Sequence, residues 1–371
     1  MQHDFLQIEI DGEEIDEVYA ELIRLDVELD DEMASVFRLK MTMLVFDGSW
    51  SILDDDRVQL WKPVKITAGF EDDSEELMDG YITQIKPDFS ANPEDATIEI
   101  WGMDKSILMD RVEYLKDWPN KKDSDIATEL FQNYGLSAEV DDTSVVHDEA
   151  ISTIIQRESD MQFLKRLALR NGYETYVQGN TGYFKRPLVD EEPQPVLAVH
   201  FGAETTLSNF RIHVDATTPA NVGMYQIDRL NKEVHEVNIE STALTALGDT
   251  DAAGLLGMGM EPGQIYVGMN SAMDNAEMSA VCQGLYEKAD WFVHVEGQIH
   301  ANYYGHILMP RKPVTIKGVG ETYSGVYYVH HVSHVFTSGG YTQYMRAKRN
   351  AILPTGAENF SSDGGLLAGV L

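Results

Sequence analysis

Alternation of apolar and polar positions dominates the first third of the chain. Val64, Ile66, Ala68 and Phe70 share one side while Lys65 and Thr67 share the other, the period-two pattern of a half-buried strand. The same reading predicts strands over 5–10, 18–27, 35–44, 81–85 and 97–101. Between them lie Asp54-Asp55-Asp56 and the acidic run from Glu71 to Glu76, costly to bury and therefore expected in solvated loops. Short strands at regular spacing with turn signals predict an antiparallel sandwich or barrel over residues 1–112.

The pattern then becomes helical. Asp123 is placed to cap a helix with the apolar stripe Ile126, Leu130 and Tyr134, ended by Gly135. Ser159 precedes Phe163, Leu164, Leu167 and Ala168, and Asn171-Gly172 closes that helix. Strands at 173–177 and 183–185 around Gln178 to Gly182 read as a hairpin, so 113–195 is a small α+β domain. From Val196 strands return at 208–214, 222–228, 234–239, 291–300, 314–319, 325–336 and 341–348. A helical insertion at about 242–290 interrupts them, its helix starting at Asp274 with Met278, Val281, Cys282 and Leu285 on one stripe. Residues 196–353 are thus a second barrel domain and 354–371 a flexible tail. Its apolar residues Phe360, Leu366, Leu367, Val370 and Leu371 are too few for a core, which makes them candidates for capture by a partner.

One echo links the two ends. Lys62-Pro63-Val64-Lys65-Ile66 followed by Asp79-Gly80-Tyr81 resembles Lys312-Pro313-Val314-Thr315-Ile316 followed by Ser324-Gly325-Val326. A proline opens an alternating strand in each, and a small residue plus glycine opens the next. The expected fold class is therefore mainly β with α+β insertions: two tube-like antiparallel β-barrel domains plus a small α+β domain.

Charge narrows function more than composition does. The 371 residues carry 28 Lys and Arg against 62 Asp and Glu, a formal net charge of −34, which opposes nucleic-acid binding. A hydrophobic content of 43 % is that of a folded chain. The single cysteine, Cys282, cannot pair within the chain and reads as core. The N-terminus has no basic patch followed by an apolar stretch, and no run reaches the roughly 20 residues of a membrane span, so a cytoplasmic start is expected.

Motifs for catalytic and ligand chemistry are scarce in the chain. Glycine-cradled phosphate motifs and a G-x-S-x-G elbow are absent. Asp249 to Met260 begins like a calcium loop but has Ala253 at a ligand position and Met260 where a bidentate Glu belongs. His330 and His334 lie about 13 Å apart on one extended strand, with His331 turned the other way, so no shared metal is expected. Methionines 258, 260, 269, 273 and 278 read as packing. No catalytic residue, metal ligand or cofactor site is assigned.

The segment Gln156-Arg-Glu-Ser159-Asp160-Met-Gln-Phe163-Leu164-Lys-Arg-Leu167-Ala168-Leu-Arg-Asn171-Gly172 resembles the Q-x-x-[ST]-D-x-x-F-L-x-R-L-A-x-x-x-G motif of phage late control gene D proteins, relatives of the baseplate hubs of contractile tails and injection systems. Asp79-Gly80-Tyr81-Ile82, Asp104 to Leu108, and 313–334 resemble further segments of that family. The resemblance implies a homotrimeric, non-enzymatic adaptor between a six-fold inner tube and a three-fold spike. Its implied partners are further copies of itself, the inner tube protein, a separate spike protein and baseplate wedge components. It would be made in a bacterial cytoplasm and assembled into the particle. A hub-associated cell-wall hydrolase and a glycan-binding tail module are the alternatives.

Overall fold

The computed structural model describes residues 4–70, 73–150, 153–215, 217, 220–227, 232–256, 260–268 and 274–361; Leu366, Leu367, Val370 and Leu371, and Met258, Met269 and Met273, lie outside them. The first unit contains β1 (Asp4–Ile10), the short α1 (Asp16–Ala20), β2 (Leu22–Asp30), β3 (Val36–Thr42), β4 (Pro63–Phe70), β5 (Asp73–Asp88) and β6 (Thr97–Asp104). Two expectations are corrected here. The apolar run from Val18 opens as a helical turn that buries Val18, because Asp16 and Glu17 lie in its first turn, and the strand starts at Leu22. The stretch from Asp73 to Glu76 is strand, since β5 runs far enough to pair with all of β4 and then with β6; Glu75 and Glu76 stay half-exposed in it.

The middle of the chain provides α2 (Asp123–Asn133), β7 (Ser137–Val140), α3 (Asp160–Asn171), β8 (Glu174–Gln178) and β9 (Thr181–Lys185). Ser159 caps α3 by accepting from the Gln162 amide at 3.3 Å, and Gly172 ends it at φ 68°. Phe163, Leu164 and Leu167 are fully buried with Ile126, Phe131 and Phe184. Asp123 is not the cap of α2. Lys122 occupies that position and the Asp123 carboxylate is buried instead, 2.6 Å from His147 Nε2. The α2 end is satisfied by Asp125, whose carboxylate accepts from the Lys122 amide.

The second unit holds β10 (Gln194–Ala198), β11 (Leu207–Val214), an insertion with β12 (Ala220–Ile227), β13 (Val234–Ile239), β14 (Gly263–Val267) and α4 (Asn275–Ala289), then β15 (Val293–His300), β16 (Lys312–Lys317), β17 (Gly325–Thr337) and β18 (Gly340–Arg349). Asp274 caps α4, and Met278, Val281 and Cys282 pack beneath the β12–β13–β14 sheet, so Cys282 is core.

Hydrogen-bonding order reveals a duplication. The first unit runs β1-β4-β5-β6-β3-β2 and the second runs β10-β16-β17-β18-β15-β11. Equivalent strands even share irregularities: the register slips at Thr83 in β5 and at His330 in β17, and at Ile23 in β2 and Ser208 in β11. The units also differ: β1 meets β4 antiparallel whereas β10 meets β16 parallel, and the β4–β5 ladder slips at Leu77 while β16–β17 runs without a slip. The glycines of the sequence echo do not correspond. Gly80 lies opposite Val64, but Gly325 lies opposite Ile316, two positions further along its partner strand. Gly325 answers a local need instead: a Cβ there would sit 2.7 Å from the Arg349 guanidinium.

Candidate assembly surfaces and the junction between units

The two units are fused into one sheet. The second half of β17, His331 to Thr337, pairs antiparallel with Asp30 to Arg24 of β2, so a thirteen-stranded sheet passes through both. Two barrels are expected from the strand pattern, but nothing local in the residue order marks a ladder shared between them. A polar cluster locks this joint. Arg311 donates to the Asp30 carbonyl, and His331 Nδ1 lies 3.1 Å from the Asp30 carboxylate. Burial would push the Asp30 carboxyl up, but His331 and the Glu32 and Met33 amides outweigh it and hold it at about 2.

Beside the joint lies a cleft of about 660 Å³ lined by residues that include Asp31, Glu174, Trp291, His330 and Lys348. Lys348 Nζ is 2.8 Å from Asp31 and lies over the Trp291 and Tyr328 rings at 5.1 and 5.6 Å. Tyr328 donates to Glu174 at 2.7 Å, while Glu174 Oε1 is enclosed without a hydrogen-bond partner. Burial lifts the Glu174 carboxyl to about 7 against the pull of Lys348, and lowers His330 to about 4. These groups join β8 to both units.

The three histidines noted in the sequence do separate work. His331 serves the joint, His330 faces the cleft, and His334 is fully buried with Nδ1 2.7 Å from the Tyr341 hydroxyl. Among the described residues, no group of three or more His, Cys, Asp or Glu side chains is arranged to hold a metal. In the calcium-like segment the Asp251 carboxylate is used to cap a helical turn, accepting from Gly254 at 2.8 Å. Of the tail candidates, Phe360 is half-buried and its carbonyl accepts from Lys317 Nζ at 3.1 Å, so the described start of the tail lies on the second unit.

Several important residues escaped sequence reading. Arg349 is fully buried, donating to the carbonyls of Leu247 and Leu353 at 2.8 Å each. Its signal was available in Gly248 and Gly325, where any Cβ would strike that guanidinium. A second buried network, Asp123–His147–Glu277 with Arg170, ties the middle domain to α4. Nothing local announces it, because its members are far apart in the chain.

This fold is shared with tail proteins of phages. The 43 kDa tail protein of prophage MuSo2 from Shewanella oneidensis superposes with a TM-score of 0.68 at 11 % identity, covering 94 % of this chain and 100 % of that one. The tail protein from Neisseria meningitidis MC58 gives 0.67 at 12 %, covering 94 % and 98 %. An E. coli component of the type VI secretion system, itself described as similar to the T4 tail proteins gp27 and gp5, gives 0.55 at 11 %, covering 92 % and 76 %. A family model described as the Alg8 N-terminal domain matches residues 2–338, and the chain belongs to that family. Among curated proteins nothing matches. No helix among the described residues is long and apolar enough to cross a membrane.

Proposed function

We propose that the protein is a structural baseplate hub of a phage-like contractile tail or injection system, of the late control gene D type. It acts as a homotrimeric, non-enzymatic adaptor between a six-fold inner tube and a three-fold spike. The duplication of the six-stranded unit carries this reading. A tube with six equivalent contacts can be satisfied by three chains when each supplies two similar units, and the shared strand order and register slips make the units similar in detail. With this reading go a division at 1–112, 113–195, 196–353 and 354–371, contacts to tube, spike and baseplate wedge proteins, and assembly into a particle from the bacterial cytoplasm. Phe360, Leu366, Leu367, Val370 and Leu371 are proposed to meet the spike or a neighbouring subunit.

Mass measurement of the purified chain across salt concentrations tests the hub. A trimer at high salt is expected, loosening at low salt, because each copy adds a charge of −34 that screening must offset. A chain that stays monomeric or stops at a dimer at high salt and high concentration overturns it.

A cell-wall hydrolase remains the second reading on one observation: Glu174, with its carboxyl lifted to about 7, shares a cleft with Asp31, as a general acid beside a carboxylate would. Zymography on peptidoglycan decides. The hub reading expects no clearing, whereas clearing that Glu174→Gln abolishes would establish the hydrolase.

A further inference from the structure

The duplication leaves two strand edges open where the chain's own internal joint has a partner. β17 is covered by β2 beyond its register slip. Its counterpart β5 is bonded to Lys62 and Trp61 at Ile82, and beyond that point pairs on one side alone, with β6, among the described residues. The counterpart of β2 is β11, which among the described residues pairs with β15 alone. An open run of this length is a template for another strand. From these matched edges we infer that β11 of one copy pairs antiparallel with residues 84–90 of the next, repeating between chains the β2–β17 joint found within each.

The duplicated register specifies the pairing. Matching the slips makes Gln84 equivalent to His331 and Asp215 to Asp30. His331 faces Asp30 and Val335 faces Asp26 in the internal joint. Carried across, Ile85 faces the next copy's Val214, Asp88 faces Arg211, and Phe89 faces Phe210. Opposite charges therefore meet at the one position where both edges carry a formal charge. Pro87 has no N–H, so the new ladder has one rung fewer than the internal one.

Burial points to the same partner. Phe89 is 56 % exposed, whereas its equivalent Phe336 is 6 % exposed, and Val214 is 37 % exposed against 4 % for Leu29. Ile85, Phe210 and Ile212 are half-buried, while their counterparts Val332, Leu25 and Val27 are fully buried. Both open edges thus carry apolar side chains that the internal joint covers in their equivalents, and a second copy of this chain supplies the complementary strand.

The register rests on the hub reading, and the test separates the two. On a Cys282→Ala chain, Asp88→Cys with Arg211→Cys places thiols on directly opposed residues, within the Cα separation a disulfide accepts. Oxidation should link the double variant into covalent dimers and trimers, and neither single variant should do so. A trimer by mass that fails to link overturns the register but keeps the hub; a monomer that fails to link overturns both. Charge reversal provides a second route. Asp88→Arg or Arg211→Asp alone should lose the trimer peak at moderate salt, and the two together should recover it. Equal assembly by both single variants also overturns the register.

Discussion

Lys348→Ala should destabilise the chain by about 3 to 5 kcal/mol, the range for removing one partner of a buried ion pair. Lys348 is the cation between Asp31 and Glu174, at 2.8 Å from the former. Burial opposes its charge, but those two carboxyl groups raise its affinity for the proton nonetheless. The loss should grow with pH. The Glu174 carboxyl, at about 7 in the fold against an ordinary 4.5, is protonated at pH 5, so the variant then leaves Asp31 as the uncompensated charge. At pH 8 the intact chain holds Glu174 largely ionised beside Lys348, whereas the variant must either keep a second uncompensated carboxylate or hold a proton on Glu174, and either adds to the loss. Urea titrations at the two pH values check this: a larger loss at pH 5 than at pH 8 would reverse the assignment. Adding Asp31→Asn should return part of the stability at pH 5, since the orphaned charge is then gone.

Leu167→Ala should cost about 2 to 5 kcal/mol, the span for truncating a fully enclosed leucine, with its position in the range set by how far the site collapses. Leu167 is completely buried on the inner face of α3, among Phe163, Leu164, Ile126 and Phe184. Little collapse is expected, because α3 is held at Ser159 and Gly172 and Gly172 packs closely on Gly284 of α4. The effect belongs at the upper end for that reason. Leu169→Ala is the control, since Leu169 is 41 % exposed on the same helix and should shift the midpoint by a small fraction of that. Equal shifts for the two variants would mean that the helix is turned the other way.

Elements governed by neighbours in sequence were legible without the structure. The caps at Ser159 and Asp274, the left-handed ends at Gly135 and Gly172, and the hairpin from β8 to β9 depend on interactions spanning a few residues. The alternating strands and the buried stripe of α4 follow from periodicity, which one-sided burial imposes directly on residue order. Even the duplication left a trace in the Pro63 and Pro313 strands, because the two hold equivalent places in their units, Pro63 opposite Tyr81 and Pro313 opposite Tyr328.

What escaped was whatever is decided by residues distant in the chain. Asp123 satisfies the local rule for a helix cap, yet His147 and Asn171 offer it a buried network that outweighs the cap. The echo suggested that Gly80 and Gly325 correspond, but register is set by the whole ladder, and a displacement of a few residues is invisible in a short motif. The fusion of the two units through β2 and β17, and the cluster of Asp31, Glu174 and Lys348 beside it, joins segments up to 317 residues apart. Residue order carried most of the strands and helices and their apolar faces, since those are local consequences of period and capping, but not the helical turn at Asp16–Ala20 or the strand through Asp73 to Glu76. Which edges are covered and which, among the described residues, stay open follows from the packing of the two units, because pairing depends on where each unit ends in space.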